Sequence, residues 1–188
     1  MDNERVTARK RPRPAGRDIA RIAGVPGSNP RDEDPAIPPR FARHLEGAAH
    51  RRRDGDMPWV AVARIDGVDD MRDDWGDPAA EEFLRAVASA MRASLRESDK
   101  LSPVGRAEYG IILDAPSEDD VMAGLERLIR GVAELAGRDH RWSGGSLCVG
   151  VTPLDTPDAA AILIRAREAV ATGQRLGGAQ VTMVGAPG

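Results

Sequence analysis

Four arginine–aspartate pairs in this chain share the spacing Arg-x-x-Asp: Arg31/Asp34, Arg51/Asp54, Arg53/Asp56 and Arg96/Asp99. Such a pair can read a guanine base. The guanidinium donates to O6 and N7 while its plane stacks on a purine, and the carboxylate accepts from N1–H and the exocyclic amine through charge-assisted bonds. Spacing alone singles out none of the four. Other chemistry-bearing residues form weaker patterns. His44, His50 and His140 stand apart without metal-ligand spacing. Asp69, Asp70, Asp73 and Asp74 lack the glycine and terminal glutamate of a calcium loop, so the expectation there is a solvated acidic turn. Cys148 is the only cysteine, which excludes a disulfide and a thiolate cluster. Its apolar surroundings suit a small buried hydrophobe.

The bulk properties restrict what such residues could serve. At 188 residues the chain has room for one ordinary domain and a tail. A hydrophobic share of 41% supports a core, whereas 3% aromatics leaves little surface on which bases could stack. A net charge of −3 argues against a general polyanion binder. No apolar run approaches the ~18 residues of a membrane span, and the N-terminus carries no apolar signal core, so a soluble, cytoplasmic protein is expected. Residues 1–33 hold eight Arg and Lys against five Asp and Glu, with scattered Pro and Gly. That composition predicts a flexible basic arm, the one part of the chain where contact with a nucleic acid or an acidic partner is conceivable.

From residue 34 the pattern tightens into elements that could position a site. Phe41, Leu45, Ala48 and Ala49 make one stripe of a short helix ending at Arg51–Arg53. Trp59–Ala63 reads as a strand covered on both faces. Asp77-Pro78 reads as a helix cap with Pro at the first helical position, followed by Phe83, Leu84, Val87, Met91 and Leu95 on one face. Strands at 101–104 and 107–113 are joined at Gly105-Arg106, where Gly suits a type II′ turn. Ser117–Asp120 is a capping box for a helix that runs to Gly137. A buried strand at 147–151, a helix from Thr156-Pro157 to Gly177 and a strand at 180–184 complete the chain. The order predicts an α+β fold, a ferredoxin-like, nucleotide-cyclase-type sheet containing antiparallel strands and flanked by helices.

The hairpin gives this order a family. Arg96-Glu-Ser-Asp99, five residues, then Gly105-Arg106-Ala107-Glu108-Tyr109 resembles the centre of a GGDEF domain, with Arg64-Ile-Asp66, Trp75-Gly76, residues 146–151 and residues 166–181 as further matching pieces. The resemblance covers about residues 34–184. It implies a relative of diguanylate cyclases, which condense two GTP into cyclic di-GMP with two divalent metals. In that family an Arg-x-x-Asp five residues before the signature is an inhibitory site that usually holds an intercalated cyclic di-GMP dimer. A further Arg comes from the next helix, often from a second subunit. Arg96 and Asp99 match the first two positions. Arg127 is in register for the third, with Arg130 a near alternative.

The resemblance fails where the chemistry would be. One metal-binding carboxylate of the family falls at Arg64 and the other at Ala107; a guanidinium cannot ligate a divalent cation, and a methyl offers nothing. The guanine-binding Asn and Asp map to Arg72 and Glu81, the signature's second Gly to Arg106, and the phosphate-binding Lys and Arg to Gln174 and Gly178. The resemblance therefore implies a degenerate GGDEF domain over residues 34–188, with no catalytic residue, bound metal or cofactor. The expected function is a non-enzymatic receptor that binds cyclic di-GMP through Arg96, Asp99 and Arg127 and signals to a protein partner, with a ligand-induced homodimer as one outcome. The alternatives are a protein-interaction scaffold that binds no nucleotide, and residual conversion of GTP. Arg64 is expected to fill the emptied metal position and pair with Asp66 or Glu108; a new anion site from Arg64, Arg72 and Arg106 is the competing use.

Overall fold

The computed structural model describes residues 37–51 and 57–185; the basic arm expected over residues 1–33 lies outside them. The alternation of Trp59-Val-Ala-Val-Ala-Arg-Ile-Asp66 explains the layers. This strand, β1 (Trp59–Asp66), sends Ala61, Ala63 and Ile65 to one core and Val60 and Val62 to another. Both sets are buried, which demands covering helices on each face. The first core is closed by α2 (Val68–Trp75), α3 (Asp77–Ser94) and α4 (Glu118–Ala136), the second by α1 (Pro39–Arg51) and α5 (Ala159–Arg175). Phe41 of α1 is completely buried in the second core. Truncating a side chain so placed costs about 3–5 kcal/mol, so α1 is anchored to the domain rather than appended to it.

The remaining strands are β2 (Lys100–Gly105), β3 (Glu108–Leu113), β4 (Ser146–Pro153) and β5 (Val181–Met183), in the order β2-β3-β1-β4-β5. β1 runs antiparallel to both β3 and β4, β2 antiparallel to β3, and β5 parallel to β4. This is the expected α+β sheet. Helix α5 crosses it at close range: a Cβ on Gly150 of β4 would stand 2.1 Å from the carbonyl oxygen of Ala166. Register then fixes the site, because Arg64 of β1 lies opposite Glu108 of β3 and Cys148 of β4. Cys148 is fully buried, as its apolar strand suggests, and burial pushes its thiol up.

Several local expectations are corrected. The acidic stretch after β1 is a helix, α2, not a turn. Val68 and Met71 are buried one turn apart, and Asp69 and Asp70 lie in the first turn, where the helix dipole favours anions. Its entry needs Gly67, which has φ +79 and whose Cβ would stand 2.3 Å from the Gly144 oxygen. Gly76, not Asp77, caps α3, and Pro78 takes the second helical position. Asp158 caps α5 through Ala160 and Ala161 N–H, while Thr156 accepts from Asp158 N–H. At the β2–β3 hairpin, Gly105 pairs with Glu108, so Arg106 and Ala107 are the central residues. None of Gly105, Arg106 and Ala107 has positive φ, so the turn is not of type II′. A bulge between Pro103 and Gly105 absorbs the twist. Ser117 caps α4 as its capping box predicts, accepting from Asp120 N–H at 3.2 Å.

Candidate functional site

Two neighbourhoods carry the residues singled out by sequence. The first is the end of β1 beside the hairpin. Glu108 is held from two sides: Arg64 Nη1 lies 3.2 Å from its Oε1, and Arg167 Nε from α5 lies 3.2 Å from its Oε2. Arg167 also donates to the carbonyl of Val104 at 3.2 Å. Arg64 Nε reaches Asp66 Oδ1 at 3.8 Å, and Gln174 Nε2 donates to the same oxygen at 2.5 Å. Burial raises the pKa of Asp66, while the hydrogen bond from Gln174 and the charge of Arg64 pull it back down. Arg64 therefore pairs with both expected partners. Ala107 contributes no side-chain ligand; its carbonyl accepts from Ile65 N–H at 2.8 Å and ties the hairpin to β1.

These residues do not fit a divalent ion. Each remaining carboxylate is already engaged by cationic or amide donors, and a metal between them would face the guanidiniums of Arg64 and Arg167. Among the described residues no group of three or more His, Cys, Asp or Glu side chains could hold a metal. Arg72 bonds Asp69 at 2.6 Å and Asp77 at 2.7 Å, and Arg64 is paired as above. Two of the three arginines of the competing anion site thus already answer carboxylates of their own chain. The histidines are dispersed: His44 faces Ser102, His50 the carbonyl of Glu46, and His140 packs edge-on against Trp75.

The second neighbourhood is a groove between the α3–β2 turn and α4. Arg96, Asp99 and Arg127 all line this solvent-open groove. Arg130 is not among the residues that line it. The turn is built by Asp99 itself, whose Oδ2 accepts from Arg96 N–H at 2.9 Å and whose Oδ1 accepts from Asp114 N–H at 3.3 Å. The carboxylate thus fixes where Arg96 leaves the backbone and joins the turn to the end of β3. Arg96 and Arg127 are exposed, and neither guanidinium is paired with a carboxylate among the described residues. Leu95, Leu113, Val121 and Leu125 supply an apolar floor. An apolar floor beneath converging donors and acceptors suits a flat heteroaromatic ligand.

Sequence reasoning missed Asp114, Asp120 and Gly124, which also line the groove, and Arg167 at the hairpin. Asp120 was legible: it stands seven residues before Arg127, two turns along one face of α4. Arg167 had no such signal, since it lies 59 residues from Glu108.

A family model described as diguanylate cyclase, GGDEF domain, matches residues 39–180. The diguanylate cyclase DgcP of Pseudomonas aeruginosa is 31% identical over 134 residues, 69% of this chain and 20% of that protein. The diguanylate cyclase DosC of Escherichia coli K12 is 30% identical over 92 residues, 49% of this chain and 19% of that protein. The chain thus spans about a fifth of the length of these curated relatives. The GGDEF domain of DgcB from Caulobacter crescentus, solved in complex with c-di-GMP, is similar with a TM-score of 0.66 at 22% identity, covering 76% of this chain and 87% of that one. The diguanylate cyclase SiaD, solved with its activator SiaC from Pseudomonas aeruginosa, gives a TM-score of 0.69 at 24% identity, covering 81% of this chain and 61% of that one. Among the described residues no helix is long and apolar enough to cross a membrane. With the β2-β3-β1-β4-β5 sheet, the signature hairpin and the model match over residues 39–180 together, this chain belongs to the GGDEF family.

Proposed function

We propose that the domain is a non-catalytic receptor for cyclic di-GMP that binds the messenger in the groove of Arg96, Asp99 and Arg127. The observation that carries the reading is that Arg127 of α4 meets Arg96 and Asp99 of the α3–β2 turn on one groove with an apolar floor. Unpaired guanidiniums there can donate to O6 and N7 of guanine, and carboxylates can accept from N1–H and the amine. The degenerate hairpin supports the non-catalytic half. Its carboxylates are already engaged by the guanidiniums of Arg64 and Arg167 and the amide of Gln174, which leaves no ligand set for the ions that phosphoryl transfer in this family requires. The signal would pass through a protein partner or through a second copy of the domain bridged by the ligand.

Calorimetry with cyclic di-GMP on the wild type and Arg96→Ala tests this. The wild type binds, and the variant loses about ten- to hundredfold in affinity, the worth of one bidentate contact to a base edge. Incubation with GTP and Mg²⁺ or Mn²⁺ yields no cyclic di-GMP. A wild type that does not bind the messenger overturns the receptor reading in favour of a nucleotide-independent scaffold, and product formation overturns the non-catalytic half.

A further inference from the structure

Helix α4 contains two glycines in its interior, Gly124 and Gly131. Each costs the helix about 1 kcal/mol relative to alanine, so each asks for a reason. Packing supplies none. A Cβ built at Gly131 meets nothing within 4 Å, and one at Gly124 meets the Nη2 of Arg127 at 3.9 Å, an ordinary contact. Neither has positive φ. The two differ in place: Gly124 lines the groove of Arg96 and Arg127, and Gly131 does not.

From this contrast we infer that Gly124 is a specificity-determining residue, a bare stretch of helix backbone on which the flat face of a purine rests. The inference deepens the proposed receptor function and rests on it. Asp120, Gly124 and Arg127 form one stripe of α4, with the glycine between the carboxylate and the guanidinium. Asp120 and Arg127 are seven residues apart, roughly 10 Å along the helix axis, room for one base between side chains reaching inward. One guanidinium nitrogen of Arg127 comes within 3.9 Å of the place a Cβ on Gly124 would take. A side chain at this position would stand where the ring and the guanidinium must slide past one another. Ligands with a planar purine therefore gain the groove, and any methyl on the stripe takes away part of the contact area.

The two glycines furnish the test. Gly124→Ala and Gly131→Ala are each expected to raise thermal stability, because both remove a helix-interior glycine into open space. Calorimetry with cyclic di-GMP then separates them: Gly131→Ala binds as the wild type does, Gly124→Ala binds about tenfold more weakly, and Gly124→Leu shows no measurable binding while remaining folded by circular dichroism. Equal affinities for Gly124→Ala, Gly124→Leu and Gly131→Ala overturn the inference and leave the receptor reading intact, provided that Arg96→Ala is impaired. A wild type without affinity for cyclic di-GMP overturns both.

Discussion

The clamp on Glu108 allows a magnitude to be worked from geometry. The Glu108 side chain is 14% exposed and that of Arg167 19%, while Arg64 is 50% exposed. Glu108→Gln keeps the size and removes the charge that both guanidiniums face. Removing one partner of a fully buried pair costs 3–5 kcal/mol; with this residual exposure about 2–3 kcal/mol is expected. For a domain of this size that lowers Tm by about 4–12 °C. Arg64→Ala removes the solvent-facing arm, which as a surface pair is worth about 0–1 kcal/mol, or up to about 4 °C. Salt sharpens the distinction, since at 1 M the screening length is about 3 Å and the Arg64 contribution fades while the more buried Arg167 contribution persists. The assay is thermal unfolding followed by circular dichroism, at low and high salt, with Mg²⁺ or EDTA present. Equal losses for Glu108→Gln and Arg64→Ala would refute the two-sided clamp. A rise of several degrees with Mg²⁺, abolished by Glu108→Gln, would refute the replacement of metal by guanidinium.

Two further perturbations follow from the same geometry. Burial raises the folded-state pKa of Asp66, so its contribution to stability is fully present below the usual carboxylate value and is lost as pH rises through the raised value. Asp66→Asn is accordingly at least as stable as the wild type at pH 7, with the gap closing as pH falls toward 4; denaturant titrations across this range check it, and a less stable variant at pH 7 contradicts it. Asp99→Ala loses the bonds from Arg96 and Asp114 N–H that build the turn, and should cost about 1–2 kcal/mol of stability in addition to ligand affinity, whereas Arg96→Ala should cost affinity alone. Chemical denaturation separates the two, and an Arg96 variant as unstable as the Asp99 variant would contradict this division of roles.

How much of this was legible in the sequence follows the range of the forces involved. The run Trp59–Ala63 and the cap at Ser117 are local signals, and both elements formed where expected. The helix at 68–75 was hidden because four aspartates surround Val68 and Met71, two apolar residues being too few to show a period. The hairpin turn was misread because Gly105 invites a positive φ that the bulge at Pro103/Gly105 makes unnecessary. Arg96, Asp99 and Arg127 were picked out by their position relative to the signature, not by propensity. That Asp114 and Gly124 share their groove, and that Arg167 reaches Glu108, depends on how α4 and α5 pack on the sheet, which no short window encodes.

The most direct test of the central claim is an amide-resolved NMR titration of the domain with cyclic di-GMP, and separately with GTP and Mg²⁺. Saturable shifts are expected at Leu95–Asp99 and Gly124–Arg127 with the cyclic dinucleotide, needing about ten- to hundredfold more ligand in Arg96→Ala, and no specific shifts with the triphosphate. Shifts centred on Gly105–Tyr109 and Arg64–Asp66 in the presence of GTP and Mg²⁺, with the α3–β2 turn unmoved by the messenger, would contradict it.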